Sequence, residues 1–482
     1  MGKKILLLHP KKETDNNPVP HLGLGILAAV LKKAGHRVRV LDSLLFIRNQ
    51  EPELSDVLES YKPDIVGISI YTSTYSICMQ KIESVRRVLE DVPLMAGGPH
   101  VTLNSEEMAV DSGIDYLFRG EAEDTIIKVV DSAARRCRSL VIKPNKPDVR
   151  TLPYPDFSSF INYKSIRQYP LMTSRGCPYG CKFCAVKYIT SRHWRHREPG
   201  DCVTELLRAK KQLPGLRSVK ISDDSPTTRK EHFKDFLREY IRQRVGLAMS
   251  IDNMRADNVD RELVTLAKGA GVSAICIAAE HGHQEVFDFI SKKESLNDIR
   301  RAAMTIKEGG LDLGLCFIIG LPKDNYRRTE ESIRLAKELK PSYVFWNMAH
   351  PMKGTEIRRW YEENQASIED DKDYTSFSHH SLRSLAPIVE TGDFTRAERI
   401  KAYVWACLET DQYQVTFKEL PHVVRIAARN DFHAILLKSL IRKTLRWPVR
   451  KMKVLRRKLL TACGSPANRE TSPSSQCKNQ LI

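Results

Sequence analysis

Short hydrophobic runs alternate with helical patterns twice along this chain of 482 residues, and this alternation restricts its fold more than any other feature. Such a pattern is typical of parallel β-sheets whose strands are connected by helices. In the first part of the chain it predicts five strands, at residues 4–9, 37–41, 65–70, 94–96 and 116–118. The intervening helices are expected near residues 22–33, 53–61, 75–89, 106–111 and 125–135. We therefore predict an N-terminal domain with a flavodoxin-like, Rossmann-type topology.

A second set of strands follows a proline-containing stretch that has little periodicity, which we interpret as a linker. These six strands are predicted near residues 171–173, 218–221, 248–251, 274–278, 313–319 and 343–348. Six successive βα units indicate a partial (β/α)6 barrel, so the whole chain is of the α/β class. The predicted organisation is a first domain at 1–138, the linker at 139–169, the barrel at 170–354, a helical C-terminal region at 355–460 and a disordered tail at 461–482.

Small residues at the strand ends of the first domain indicate a binding edge. Gly97 and Gly98 follow the fourth strand and Gly120 follows the fifth, and open α/β sheets bind ligands at these carboxyl ends. The glycines leave room for a bulky cofactor, while Ser69 and Thr72 could donate hydrogen bonds to it. From these residues alone a flavin, a nucleotide or a corrin would fit, and an empty, vestigial domain is a further alternative.

Three cysteines directly after the first predicted barrel strand carry the strongest chemical signal. Cys177, Cys181 and Cys184 have the spacing C-x3-C-x2-C, and cysteine thiolates are the usual ligands of iron–sulfur clusters. Three ligands for four irons leave one iron open to bind a small molecule, which is a catalytic arrangement. The alternative is a zinc site completed by His193 or His196. The other eight cysteines of the chain have no ligand spacing.

With Phe183 before its last cysteine, the motif resembles that of the radical S-adenosylmethionine (SAM) superfamily. Further segments in the family's order extend the resemblance over residues 171–355; they lie at 193–199, 219–224, 255–257, 279–282 and 317–322. The resemblance implies that the three cysteines hold a 4Fe-4S cluster whose open iron chelates SAM, with Phe183 near the adenine.

The same resemblance implies roles for residues at the later strand ends. The strand end at Asp223 and Asp224 would contact the methionine amine, and Glu280 and the turn at Gly320 would flank the ribose and adenine. The family usually has serine where this chain has His281, so the ribose contact at that position departs from the family's pattern.

Segments of the first domain, at residues 20–29, 35–42, 66–69, 97–100 and 118–121, resemble the cobalamin-binding domain that precedes many radical SAM barrels. The resemblance implies that cobalamin is bound by Ser69, Thr72, Gly97, Gly98, Gly120 and Glu121. Many cobalamin domains carry an Asp-x-His-x-x-Gly loop whose histidine binds cobalt, and none follows the first strand here. The lower face of the cobalt would then carry water or no ligand.

Together the two resemblances imply a cobalamin-dependent radical SAM methyltransferase of class B. A 5'-deoxyadenosyl radical would abstract hydrogen from an unactivated carbon of a small-molecule or lipid-like substrate, and methylcobalamin would deliver the methyl group. A second SAM would restore the methyl donor, so 5'-deoxyadenosine and S-adenosylhomocysteine would form in equal amounts.

Three other functions are alternatives to this methyltransferase. The first is a radical cyclase or ring-rearranging enzyme similar to the anaerobic magnesium-protoporphyrin ester cyclase. The second is an RNA methylthiotransferase, whose first domain carries three further cluster cysteines, whereas this one has only Cys78 and Cys137. The third is a non-enzymatic sensor of redox state or cobalamin.

The net charge of +18 is concentrated at the C-terminus, so it says little about what the two domains bind. Residues 432–482 hold twelve Lys and Arg against one acid and supply +11, so the rest carries only +7, and we expect no nucleic-acid partner. Within 435–460, apolar residues recur at helical spacing among basic ones, which is typical of an interfacial helix on anionic lipid. A solvated helix covering the barrel is the alternative.

No apolar run approaches the roughly 18 residues that a membrane span requires. We predict a cytoplasmic protein, with peripheral contact to the inner membrane face through the basic helix as an additional hypothesis. A radical SAM enzyme also implies an electron donor such as flavodoxin or ferredoxin.

Overall fold

The computed structural model of the protein describes residues 2–12, 18–46, 50–133, 136–369, 387–410 and 424. The predicted disordered tail and the basic helix predicted within 435–460 lie outside the described residues. None of the described helices combines the length and apolar character required to cross a membrane.

The first domain is a six-stranded parallel sheet with the strand order β2-β1-β3-β4-β5-β6. Its strands are β1 (Lys4–His9), β2 (Arg37–Asp42), β3 (Ile65–Ser69), β4 (Leu94–Gly97), β5 (Tyr116–Phe118) and β6 (Leu140–Ile142). Its helices are α1 (Leu22–Lys33), α2 (Leu54–Tyr61), α3 (Tyr75–Val88), α4 (Pro99–Asp111) and α5 (Ile126–Ser132). This order confirms the predicted flavodoxin-like topology.

Two elements of this domain differ from the sequence-based expectation. Strand β6 lies in the segment predicted as a linker; it is an edge strand that pairs with β5, and its side chains are only partly buried. Helix α4 begins at Pro99, seven residues before the predicted start at residue 106. Proline is favoured at the first helical position, where its fixed φ suits the helix and no N–H is needed.

The later part of the proline-containing segment is bound to the first domain. The Asp156 N–H donates to Gly25 O over 2.9 Å, and the Ile161 N–H donates to Val40 O over 2.9 Å. Phe160 forms a parallel bridge with Val40 and is buried. The connection between the two sheets is therefore bound to the first domain from Asp156 to Ile161, while the Tyr154 hydroxyl and Pro147 O contact Asp201 and Arg195 of the second domain.

The second sheet has six parallel strands in sequential order, which gives the predicted open, partial barrel. Its strands are β7 (Gln168–Leu171), β10 (Ser218–Ile221), β11 (Ala248–Met254), β12 (Val272–Glu280), β13 (Asp312–Ile319) and β14 (Tyr343–Met348), and a separate antiparallel pair is formed by β8 (Ser174–Arg175) and β9 (Arg195–His196). The helices are α6 (Val186–Ile189), α7 (Pro199–Gln212), α8 (Lys230–Arg242), α9 (Arg261–Gly269), α10 (Gln284–Phe289), α11 (Leu296–Glu308) and α12 (Tyr326–Leu339).

The described C-terminal elements pack against this barrel. They are α13 (Glu356–Glu363), the short antiparallel strands β15 (Ser367–Ile368) and β16 (Val389–Glu390), and α14 (Arg396–Glu409). Buried apolar side chains from both sheets and from α14 form one continuous hydrophobic core.

Candidate active site

A cavity of about 420 Å³ lies at the carboxyl ends of the barrel strands. The predicted site residues that line it are Cys177, Cys181, Phe183, Cys184, Asp224 and Glu280. Asp223 and Gly320 are not among its lining residues. The cavity therefore collects six of the eight residues predicted for the cluster and SAM.

The cysteines belong to residues 176–194, which we call the cluster loop, and the antiparallel pair of β8 and β9 closes its base. The Cys177 N–H donates to Ser191 O over 3.1 Å. Gly176 allows this close approach, because a Cβ at this position would lie 2.2 Å from His193 O. The loop is thus folded back on itself as the cysteine spacing predicts.

The three cysteine side chains have the properties of ligands for a cluster. All are free thiols, and burial raises the pKa of Cys177, that of Cys181 to about 11 and that of Cys184 to about 12. Such thiols become thiolates when a metal stabilises the charge, as cluster irons do. Three sulfur donors around one cavity therefore fit an iron–sulfur cluster.

The alternative zinc site finds little support in the geometry. Neither His193 nor His196 lines the cavity, and the His196 ring stacks on Trp194 with centroids 4.8 Å apart. Within the described residues, no group of three His, Cys, Asp or Glu side chains is arranged to hold a single metal ion.

The two aspartates after β10 have different surroundings. Asp223 accepts hydrogen bonds from the Thr173 N–H (2.7 Å) and the hydroxyls of Thr173 (2.5 Å) and Ser174 (2.6 Å), and burial raises its pKa to about 6. Asp224 accepts from the Gly176 N–H over 2.8 Å and also faces the cavity. Of the two, Asp224 is thus the one that a bound ligand can reach, while Asp223 holds the segment that leads into the cluster loop.

Glu280 and two cations to which the sequence analysis assigned no role form the polar wall. Lys292 Nζ lies 3.3 Å from Glu280 Oε1 and 3.1 Å from Glu294 Oε2, and Arg255 Nε lies 3.3 Å from Glu294 Oε1. Lys292, Arg255 and Glu280 are buried, and all three line the cavity. This mixture of charges suits a ligand that carries both an amino and a carboxylate group. Lys292 follows α10 in a segment without a recognisable motif, so the sequence offered no signal for it.

Gly320 lies behind the cavity wall, where the C-terminal helices hold it. Its carbonyl accepts hydrogen bonds from Arg399 Nη1 (2.8 Å) and from the Tyr361 hydroxyl, and its N–H donates to Asp324 Oδ2 (2.7 Å). His281, which replaces the family's serine, is buried with Nε2 3.1 Å from Asp324 Oδ1. The backbone N–H of Gly320 and the imidazole of His281 therefore both contact the carboxylate of Asp324.

The carboxyl edge of the first sheet carries a polar chain that includes Ser69. Ser69 Oγ lies 2.9 Å from His21 Nε2, the His21 N–H donates to Asp42 Oδ2 over 2.7 Å, and Asp42 Oδ1 lies 2.9 Å from His9 Nδ1. Burial lowers the pKa of His21 to about 3, so this imidazole is neutral near pH 7. Each of these residues ends a strand or caps a helix, and that position was the available sequence signal for them.

The other predicted cobalamin residues surround the same edge, with one exception. Thr72 Oγ1 lies 3.1 Å from His100 Nδ1, Gly97 ends β4 and Gly98 caps α4. Gly120 faces open space, since a Cβ added there would meet no atom within 4 Å. Glu121 differs: both its carboxylate oxygens contact arginines of the second domain.

A wound α/β domain followed by a partial barrel with a three-cysteine cavity defines a two-domain, cluster-dependent enzyme. Residues 13–130 match the family described as B12 binding domain, and residues 171–336 match the Radical SAM superfamily. The chain is therefore a radical SAM enzyme with an N-terminal B12-binding domain, and its cofactors are a 4Fe-4S cluster, SAM and cobalamin.

Curated relatives span most of the chain. An uncharacterized methyltransferase of Pyrococcus horikoshii is 25% identical over 83% of this chain and 92% of its own. The anaerobic magnesium-protoporphyrin IX monomethyl ester cyclase of Rubrivivax gelatinosus is 23% identical (82% and 75%), and the cytidylyl-2-hydroxyethylphosphonate methyltransferase of Streptomyces wedmorensis is 26% identical (74% and 81%).

A solved structure supports the fold. The cobalamin-dependent SAM radical enzyme OxsB, with aqua-cobalamin and SAM bound, superimposes with a TM-score of 0.64 at 15% identity. The match covers 96% of this chain and 75% of OxsB, so it includes both domains.

Proposed function

We propose that the protein transfers a methyl group from methylcobalamin to an unactivated carbon of a small-molecule or lipid-like substrate. The observation that supports this most is the direct attachment of the cluster loop to the B12-binding domain, through Glu121, Arg175 and Arg195. Two of the relatives are named as methyltransferases, in agreement with this proposal.

In this proposal the bound cofactors supply the electron, the radical and the methyl group, and the protein positions and protects them. Cys177, Cys181 and Cys184 would hold three irons and leave the fourth open. Asp224, Glu280 and Lys292 would bind the polar end of SAM, and Phe183 would lie beside its adenine. The apolar side chains of the cavity would exclude water from the reacting carbon; they include Ile318, Leu321, Met348, Met352 and Ile357.

The experiment is to incubate anaerobically reconstituted protein with cobalamin, SAM and a low-potential reductant, and to quantify the products. Even without an acceptor, a methyltransferase should methylate reduced cobalamin and release S-adenosylhomocysteine. With an acceptor, 5'-deoxyadenosine and S-adenosylhomocysteine should form in equal amounts. Formation of 5'-deoxyadenosine without any S-adenosylhomocysteine would exclude methyl transfer.

A radical cyclase or ring-rearranging enzyme is the second candidate, because the Rubrivivax gelatinosus relative is named as a cyclase and aligns over both domains. A cyclase would release no S-adenosylhomocysteine in proportion to product, so the same assay separates the two functions.

We further propose a flavodoxin or ferredoxin as electron donor, and peripheral membrane contact through the basic segment after Phe432. Liposome co-sedimentation should weaken when that segment is deleted; unchanged co-sedimentation would rule out this contact.

A further inference from the structure

Four charged side chains join the B12-binding domain to the base of the cluster loop. Arg175 Nη1 lies 2.6 Å from Glu121 Oε2 and 2.8 Å from Glu123 Oε1, and Arg195 Nη2 lies 2.5 Å from Glu121 Oε1. None of the four side chains is more than 12% exposed. Two acids of the first domain thus neutralise two bases of the second where water is largely excluded.

The two arginines hold both ends of the cluster loop. Arg175 precedes Cys177 by two residues, and Arg195 is its direct partner in the pairing of β8 with β9. Arg195 also donates to Thr190 O over 3.1 Å within the loop, and to Pro147 O over 2.8 Å in the connecting segment. A shift of Glu121 would therefore move the base from which the cysteines project.

Glu121 also adjoins the cofactor edge of the first sheet. Glu121 directly follows Gly120, whose N–H donates to Thr102 Oγ1 over 3.1 Å and which faces open space. A ligand resting on this edge would restrict the segment that carries Glu121 and Glu123. One short segment thus connects the two cofactor sites.

We propose that Glu121 and Glu123 are positioning residues for the iron–sulfur cluster, and that they couple cobalamin binding to cluster retention through Arg175 and Arg195. Such coupling is reciprocal: whatever the cluster adds to the affinity for cobalamin, cobalamin adds to the affinity for the cluster. The proposal rests on the two cofactors and holds whether the product is methylated or cyclised.

The first test uses the unmodified full chain. Hydroxocobalamin affinity is measured with and without the reconstituted cluster, and amide hydrogen exchange of residues 176–194 is followed with and without hydroxocobalamin. We expect the affinity for hydroxocobalamin to be at least about fivefold higher when the cluster is present, which lies within the usual range of coupling between sites. We also expect the amides of the cluster loop to exchange more slowly when hydroxocobalamin is bound. Equal affinities together with unchanged exchange would overturn the proposal.

The second test removes part of the connection without leaving an unpaired buried charge. The double variant Glu121→Gln/Arg195→Gln deletes one acid and one base and leaves the pair of Arg175 with Glu123. We expect native circular dichroism, several-fold less iron after desalting, and loss of the SAM-induced change in the electron paramagnetic resonance spectrum of the reduced cluster. Corrin binding should no longer slow exchange in the loop.

The matched control is Glu107→Gln. Glu107 pairs with Lys353 and also joins the two domains, but these side chains are far more accessible to water, at 43% for Glu107 and 35% for Lys353. This variant should keep the iron content, the spectrum and the coupling of the unmodified protein. The positioning role would be refuted if the double variant also had the iron content, the spectrum and the coupling of the unmodified protein. If the double variant does not fold, the measurements on the unmodified chain decide.

Discussion

Replacing Gly320 by alanine should destabilise the protein far more than the backbone strain alone explains. Its φ of +84° lies in the left-handed region, where a side chain costs about 1–2 kcal/mol. A Cβ would also lie 1.9 Å from Arg399 Nη1, so the buried guanidinium would have to leave the Gly320 carbonyl. Losing a hydrogen bond from a charged donor costs about 1.5–3 kcal/mol. The sum is about 2.5–5 kcal/mol.

Gly354→Ala provides the matched comparison. Gly354 has a similar φ of +81°, but nothing lies within 4 Å of its added Cβ, so only the backbone cost of about 1–2 kcal/mol should appear. The assay is the urea midpoint followed by tryptophan fluorescence, since Trp405 lies on α14 together with Arg399. In an Arg399→Met background the excess cost of Gly320→Ala should disappear. Equal midpoint shifts for the two glycine variants would refute this reasoning.

Three further predictions concern the cluster loop and the first domain. Cys184→Ala should lose most of its iron after reconstitution, measured by metal analysis, whereas Cys316→Ala, which removes another thiol from the cavity, should keep it. Asp223→Ala should cost about 1–3 kcal/mol of unfolding free energy, because the Thr173 amide loses its acceptor, while the exposed Asp252→Ala should have little effect in the same urea titration. Burial lowers the pKa of His100 to about 4, whereas the unfolded imidazole keeps its ordinary pKa of about 6.5. Between these two values the unfolded chain binds more protons than the folded one. The free energy of unfolding should therefore fall, because of this group, by about 1.4 kcal/mol for each unit by which the pH is lowered. The loss of stability between pH 7 and 5 should be smaller in His100→Asn than in the unmodified protein, and equal losses would contradict this assignment.

Hydrophobic periodicity predicted most regular elements of the first domain well, whereas in the second domain β7 begins three residues before its expected start at residue 171. Strands β1 to β5 and helices α1, α2 and α3 begin and end within one residue of the expected bounds, because buried parallel strands consist of short, continuous apolar runs. Strand β6 was missed because three residues beside a proline-containing stretch carry too little periodic signal. Its existence depends on pairing with β5, which is a long-range contact.

The cluster motif was predictable because local spacing determines how three sulfurs can reach one cluster. The roles of Lys292 and Arg255 were not predictable in the same way, since Lys292 follows α10 and Arg255 follows β11, and only the folded barrel brings them together. The arginine contacts of Glu121 depend on side chains more than 50 residues apart in the chain. Neither propensity nor spacing contains information about such pairs.

The close packing of the connecting segment bears on how the enzyme would work through a catalytic cycle. Its backbone bonds to Gly25 and Val40 fix the segment to the first domain, and the ion pairs of Glu121 with Arg175 and Arg195 oppose a swing of the first sheet relative to the second. The corrin and the cluster would then keep one separation throughout turnover. Substrates and products would have to pass through smaller movements around the barrel mouth, and crosslinking the first sheet to the second should leave the rate of turnover unchanged.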